Sequence, residues 1–212
     1  METLVVGDVH GCAEELRALY EAAGRPDRVV LVGDLFTKGP DPRGVYETIR
    51  SNGWRTVLGN HDARLLKFVQ GKSKDKDLKR VARALDGTGR EWRAWLAGVP
   101  LFEEAGPFTV VHAGIHPSGS LKKTTRTMAL NMRRWPKEKS WCPFWWSIYR
   151  GSRPIVFGHD ARRGLIRVER SGEPLLIGLD TGCVYGGALS GYRVHDDEIV
   201  QVAAAEVYQD PG

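Results

Sequence analysis

The sequence has little cysteine: three thiols in 212 residues, Cys12, Cys142 and Cys183. So sparse and odd a set excludes a disulfide framework and fits a reducing compartment. Each thiol is expected to act as a small buried apolar group. No apolar run approaches the roughly 18 residues of a membrane-spanning helix, so no membrane role is expected. The opening stretch, Met1-Glu2-Thr3-Leu4-Val5-Val6, lacks the basic flank of a secretory leader. A cytoplasmic protein is therefore expected. Internal repeats and low-complexity tracts are also missing. The 42% hydrophobic content is far from that of a disordered chain. The length suits one domain spanning 1–212.

Acidic residues are scarce in one region. Between positions 119 and 150 stand Lys122, Lys123, Arg126, Arg133, Arg134, Lys137, Lys139 and Arg150, against Glu138 alone. The formal net charge of the whole chain is +5, so the rest is slightly acidic. A local excess of this kind implies an anionic partner at one place. The same segment holds Trp135, Trp141, Phe144, Trp145, Trp146 and Tyr149. Flat rings among cations suit phosphates flanked by bases, as in nucleotides. Residues 119–150 are thus expected to form an insert that caps a substrate site, although a tryptophan cluster can equally be packing.

Apolar β-branched runs mark strands at Thr3–Val6, Val29–Val32 and Trp54–Leu58, with helical spacing between them. Strand and helix in alternation indicate an α/β layer. From Asp62 to Leu96 the pattern is helical. Strands are then expected at Val99–Phe102, Phe108–Val111 and Pro154–Phe157, followed by an antiparallel edge in which Asp196-Asp197 makes a tight turn.

One arrangement recurs. An apolar strand ends, a glycine stands close by, and a metal-type donor stands with it, at Gly7-Asp8-Val9-His10-Gly11, Gly33-Asp34, Gly59-Asn60-His61-Asp62, His112-Ala113-Gly114 and Gly158-His159-Asp160. Sites in α/β sheets form beyond the carboxyl ends of strands, so these donors should converge. Carboxylate, amide and imidazole donors together suit divalent ions such as Mn²⁺, Fe²⁺ or Zn²⁺. Asp8 and His10, two apart in an extended segment, should project to one side and hold one ion with Asp34. Asp34 could bridge to a second ion held by Asn60, His112 and His159. Two such ions can generate a hydroxide nucleophile, and His61 is the expected general acid. A nucleic-acid binder, the other reading of a basic chain, has no reason to place donors at successive strand ends.

These motifs resemble those of the calcineurin-like metallophosphatases, in the phosphoprotein-phosphatase branch that includes bacterial diadenosine tetraphosphatases. The resemblance runs from Leu4 to about Tyr192. It implies a two-sheet β-sandwich flanked by helices and a dinuclear centre, commonly manganese, with Fe, Zn, Co or Ni also possible. By that likeness Asp8, His10 and Asp34 hold one metal, and Asp34, Asn60, His112 and His159 hold the other. Asp180-Thr181-Gly182-Cys183-Val184-Tyr185-Gly186-Gly187 looks like a late motif of the tetraphosphatase-type members, with Tyr185 facing the site.

The second motif departs from the protein-phosphatase pattern. Thr37 stands where those enzymes carry an aspartate that steadies the protonated histidine, and Lys38 stands for a phosphate-clamping arginine. A poorer proton donor matters less when the leaving group is a phosphate, with a pKa of about 6, than when it is an alkoxide. The expected reaction is therefore hydrolysis of a dinucleoside polyphosphate, diadenosine tetraphosphate giving two ADP. Lys38, Arg126, Arg133 and Arg134 are the expected phosphate contacts, joined by Tyr185. A serine/threonine protein phosphatase on the same centre is the alternative. Oligomeric state has no signal in the sequence.

Overall fold

Alternation along β1 (Thr3–Val6) sets the layering of the molecule. Successive strand side chains point to opposite faces. Leu4 and Val6 join an apolar cluster with the helices, whereas Val5 joins a second cluster between two sheets. β2 (Arg28–Leu31) runs parallel to β1 and repeats the division: Val29 and Leu31 face the helices, Val30 the other sheet. The computed structural model describes residues 2–72 and 75–210. It completes this sheet with β3 (Arg55–Thr56), β9 (Ala188–Arg193) and β10 (Glu198–Ala203), in the order β10-β9-β1-β2-β3.

Five helices cover the outer face: α1 (Ala13–Ala22), α2 (Pro42–Ser51), α3 (Asn60–Val69), α4 (Lys76–Asp86) and α5 (Glu91–Ala97). They contribute Leu16, Leu19, Val45, Ile49, Leu65, Leu85, Trp92 and Leu96 to the first cluster. The start of α2 is fixed locally. Asp41 accepts a hydrogen bond from the Gly44 N–H at 2.7 Å and Pro42 opens the first turn, which satisfies one exposed donor and presets φ.

The second sheet comprises β4 (Phe102–Ala105), β5 (Phe108–Val111), β6 (Ile155–Phe157), β7 (Ile166–Arg170) and β8 (Glu173–Gly178), in the order β4-β5-β6-β8-β7. Phe108, Val110, Val156 and Ile177 face the first sheet. Val111, Ile155, Phe157 and Leu176 face outward and pack against Ala129, Met132, Trp145 and Tyr149 of the insert, which contains α6 (Arg126–Asn131). This is the two-sheet α/β sandwich flanked by helices that the sequence implies. Among the described residues no helix is long and apolar enough to cross a membrane.

Three local expectations need correction. β4 begins at Phe102, not Val99, because Pro100 has no N–H to pair and its carbonyl instead accepts from Leu58 N–H at 2.8 Å. The helical stretch 62–96 is broken into parts of α3, α4 and α5, with Gly71, Gly87 and Gly89 between them; residues 73 and 74 lie outside the described residues. The link between β9 and β10 is the four-residue turn 194–197, longer than an Asp196-Asp197 pair alone.

Candidate active site

Each expected donor lies where a strand or helix start places it. Asp8 follows β1, Asp34 follows β2, Asn60 and His61 open α3, His112 follows β5 and His159 follows β6. The two sheets bring these ends together. One oxygen or nitrogen each of Asp8, Asp34 and His112 lies within 4.8 Å of the other two. His10 Nε2 stands 3.5 Å from Asp34 Oδ2, and His112 Nε2 stands 3.5 Å from Asp34 Oδ1. Asn60 Oδ1 lies 2.9 Å from His112 Nε2 and 3.2 Å from His159 Nδ1. Asp34 is thus central to the set.

His10 does not reach the site by extended alternation. Its φ is +48°, and the backbone is held there by His10 N–H to Asp34 O and Gly39 N–H to His10 O, both 2.7 Å. Asp34, Lys38 and His159 also have positive φ, at 52°, 74° and 79°. Four non-glycine residues in this costly region at one cavity mark a site held in place by its surroundings. Gly158 allows the close approach, since a Cβ there would collide with Asp8 Oδ1.

The electrostatics favour a cation. Burial pushes the Asp34 carboxyl up to about 6 and Asp180 up to about 7; the charge of Asp34 adds to the effect on Asp180. Asp8 is raised well above the usual range by burial, then by Asp180 and Asp34. Burial pulls His112 down to about 4, and holds His10 and His159 well below their ordinary value. These histidines are therefore neutral at pH 7, with one N–H each. The Nδ1–H of His112 is spent on the Val32 carbonyl at 2.9 Å. Its Nε2 lone pair then faces the Asn60 oxygen and the Asp34 carboxylate, acceptor against acceptor. Asp8 Oδ2 is buried with no hydrogen-bond partner. Converging acceptors whose crowded carboxylates a nearby positive charge would relieve fit divalent ions, and the Val32 carbonyl fixes the tautomer that ligation needs.

The cavity above these donors measures about 760 Å³. Lys38, His61, Arg133, Arg134 and Tyr185 line it, but Arg126 does not; it lies exposed at the start of α6. Lys38 Nζ bridges His10 Nε2 at 3.1 Å and the Tyr185 hydroxyl at 2.8 Å. His61 donates its backbone N–H to Asp34 Oδ1 at 2.9 Å, and its ring lies edge-on to His10. Burial and Lys38 lower its pKa to about 3. Thr37 hydrogen-bonds His10 Nδ1 at 3.3 Å.

Sequence reasoning gave no role of their own to several residues, although Asp62 and Asp180 stand within the motifs it singles out. Asp180 follows β8 and lines the cavity; the run Leu175–Leu179 ending in Asp180-Thr181-Gly182 carries the same strand, donor and glycine signal. Asp62 is fully buried and accepts the N–H groups of Leu35 at 3.0 Å and Gly59 at 3.1 Å, bracing two ligand loops. Arg162, Arg163 and Phe144 also line the cavity. Phe144 has Arg134 4.0 Å and Arg163 4.9 Å from its ring centroid, and it stacks on Trp146. The insert therefore presents a phenylalanine to the cavity. Trp145 is buried, with its indole N–H on the Ala113 carbonyl, and Trp141 points to solvent.

A family model of the calcineurin-like phosphoesterases matches residues 1–176. The symmetrical bis(5'-nucleosyl)-tetraphosphatase of Bordetella pertussis is 30% identical, the alignment covering 97% of this chain and 96% of that protein. The like-named protein of Psychromonas ingrahamii is 37% identical over 58% of this chain; the match spans about half of that protein, 48%. A crystal structure provisionally assigned as a diadenosine tetraphosphatase superposes with a TM-score of 0.82 at 34% identity, over 96% of this chain and 93% of that one. A metallophosphoesterase of Sphaerobacter thermophilus shares the fold, with a TM-score of 0.62 at 18% identity. The chain belongs to the calcineurin-like phosphoesterases, a family that implies divalent metal ions.

Proposed function

We propose that the chain hydrolyses dinucleoside polyphosphates, cutting diadenosine tetraphosphate symmetrically into two ADP. The observation that carries this reading is one cavity with a floor of carboxylates and imidazoles under a rim of Lys38, Arg133, Arg134, Arg162 and Arg163. A tetraphosphate bridge brings several negative charges in a row, and a rim of guanidinium groups matches it through bidentate contacts. The names of the relatives point the same way.

Asp8, His10 and Asp34 would hold one ion, and Asp34, Asn60, His112 and His159 the other, with manganese the expected metal. Such ions supply positive charge on the phosphate oxygens and acidify water at neutral pH. The remaining work falls to side chains. Arg133 is positioned for a phosphate by its contacts to the His159 carbonyl at 3.0 Å and to Asp160 at 3.4 Å. Lys38, steadied by Tyr185, adds a point charge. Residues 119–150 form the wall that carries Arg133, Arg134 and Phe144, and they act as the substrate cap.

His61 is the residue that meets the departing oxygen. Burial, with the Lys38 charge beside it, lowers its pKa to about 3, which makes it a poor proton donor at neutral pH. A phosphate leaving group departs with little proton transfer, whereas a serine alkoxide does not. Turnover of diadenosine tetraphosphate and of a serine phosphopeptide, measured side by side with Mn²⁺, tests the choice. A higher kcat/KM is expected on the nucleotide, and the reverse order would overturn this assignment.

A further inference from the structure

We propose that this chain holds a second kind of metal site, a zinc-class ion bound by Cys12, Glu15 and Cys183, apart from the carboxylate and imidazole centre. One donor atom of each of the three residues lies within 4.8 Å of the others, and all three residues are buried. Zn–S bonds of about 2.3 Å put two thiolates of a tetrahedral site about 3.8 Å apart, so the cluster needs little movement to close on an ion.

The state of Glu15 points to a ligand. Its Oε1 accepts the Tyr208 hydroxyl at 2.7 Å and the Ala205 N–H at 3.0 Å, which ties residues 205–208 to α1. Its Oε2 is buried without any hydrogen-bond partner. The neighbouring groups are thiols, which are weak donors, and a carboxylate left half-satisfied in an apolar core is costly. Two sulfurs and a carboxylate are the donor set of a borderline-soft divalent cation. A water would complete four ligands. The first and last parts of the active site would thereby be tied together. Cys12 directly follows the His10-Gly11 loop and opens α1, while Cys183 begins the turn 183–185 that carries Tyr185 and follows Asp180 by three residues. Packing alone explains buried thiols but not an unpartnered carboxylate oxygen buried on the residue they cluster with.

Cobalt replacement tests the proposal without relying on activity. Metal-free protein, reloaded with Co²⁺, is read for the near-ultraviolet thiolate-to-cobalt charge-transfer band, which oxygen and nitrogen donors cannot give. The expected result is a band equivalent to one cobalt per chain in the unmutated protein and in C142S, whose thiol lies in the insert. C12S and C183S should lose it, and E15Q should weaken cobalt retention by about tenfold or more. Three outcomes overturn the proposal: fully loaded unmutated protein without the band, a band that survives C12S, or recovery of Cys12 and Cys183 as a disulfide. The decisive reading uses unmutated protein, so misfolding of a variant cannot hide failure. The band can also persist where diadenosine tetraphosphate is not hydrolysed, which separates this site from the function proposed above.

Discussion

The backbone N–H of His159 donates to Asp8 Oδ1 at 3.0 Å across 151 residues of sequence. This bond joins the end of β6 in one sheet to the end of β1 in the other, so ligands from both sheets share one cavity floor. Because Asp8 spends Oδ1 on that bond, Oδ2 is left buried and unpartnered among the donors of Asp34 and His112, and the geometry of the centre depends on the sandwich being closed.

Asp34 is the residue on which both halves of the donor set meet. Asp34→Asn or His112→Ala should abolish turnover. Either should lower Mn²⁺ affinity by more than the roughly 10–100-fold typical of changes behind the ligands. Metal titration by calorimetry alongside an activity assay checks this, and a variant that keeps full turnover would refute the ligand set.

Metal capture should depend on pH with a defined sign. Burial raises the Asp34 carboxyl to about 6 and holds that of Asp8 well above the usual range. An ion held by these two ligands must expel any proton they carry, so affinity should fall as pH drops through 6, by about tenfold per unit for each proton displaced. His112 stays neutral down to about 4 and adds no cost between pH 5 and 8. The rise in Tm on adding Mn²⁺ should accordingly be larger at pH 8 than at pH 5.5. An equal rise at both would contradict the assignment.

His61→Ala should separate leaving groups. The loss of kcat/KM should be greatest on a phosphomonoester with an alkoxide leaving group, where any proton that His61 delivers counts most. On diadenosine tetraphosphate it should be at least tenfold smaller. Parallel assays of the two substrates decide, and equal losses would undo the leaving-group argument.

Asp62 should matter for stability more than for contact with substrate. Asp62→Ala leaves the Leu35 and Gly59 N–H groups buried without a partner, at about 1–3 kcal/mol each. A fall in Tm of about 5–15 °C is expected by calorimetric melting. An unchanged melting point would remove Asp62 from the bracing role.

The two arginines read together from the insert should behave differently. Arg133→Ala should raise KM for diadenosine tetraphosphate by about tenfold, the scale of one lost charge-assisted contact. Arg126→Ala, outside the cavity lining, should stay within about twofold. Steady-state kinetics on the two variants test the placement of the cap.

The donor set was legible because each of Asp8, Asp34, His112 and His159 follows an apolar strand, and strand ends converge in this class of sheet. Period and spacing could not reveal the left-handed backbone at His10, since nothing in Val9-His10-Gly11 distinguishes an extended segment from a turn held by Asp34 and Gly39. The misplacement of β4 has the same origin: Val99-Pro100-Leu101-Phe102 is apolar enough for a strand, yet its pairing is decided by the missing proline N–H. The insert was legible in charge but not in aim. Arg126 and Arg133 look alike in sequence, and only the end of α6 sets which of them turns toward the cavity. Asp62 stands in the third motif, but its role, accepting two backbone bonds, leaves no compositional trace.

Product analysis tests the central claim most directly. Diadenosine tetraphosphate incubated with the enzyme and Mn²⁺, resolved by anion-exchange chromatography, should give ADP as the sole nucleotide product. Formation of AMP with ATP, or an untouched substrate beside rapid dephosphorylation of a phosphopeptide, would contradict it.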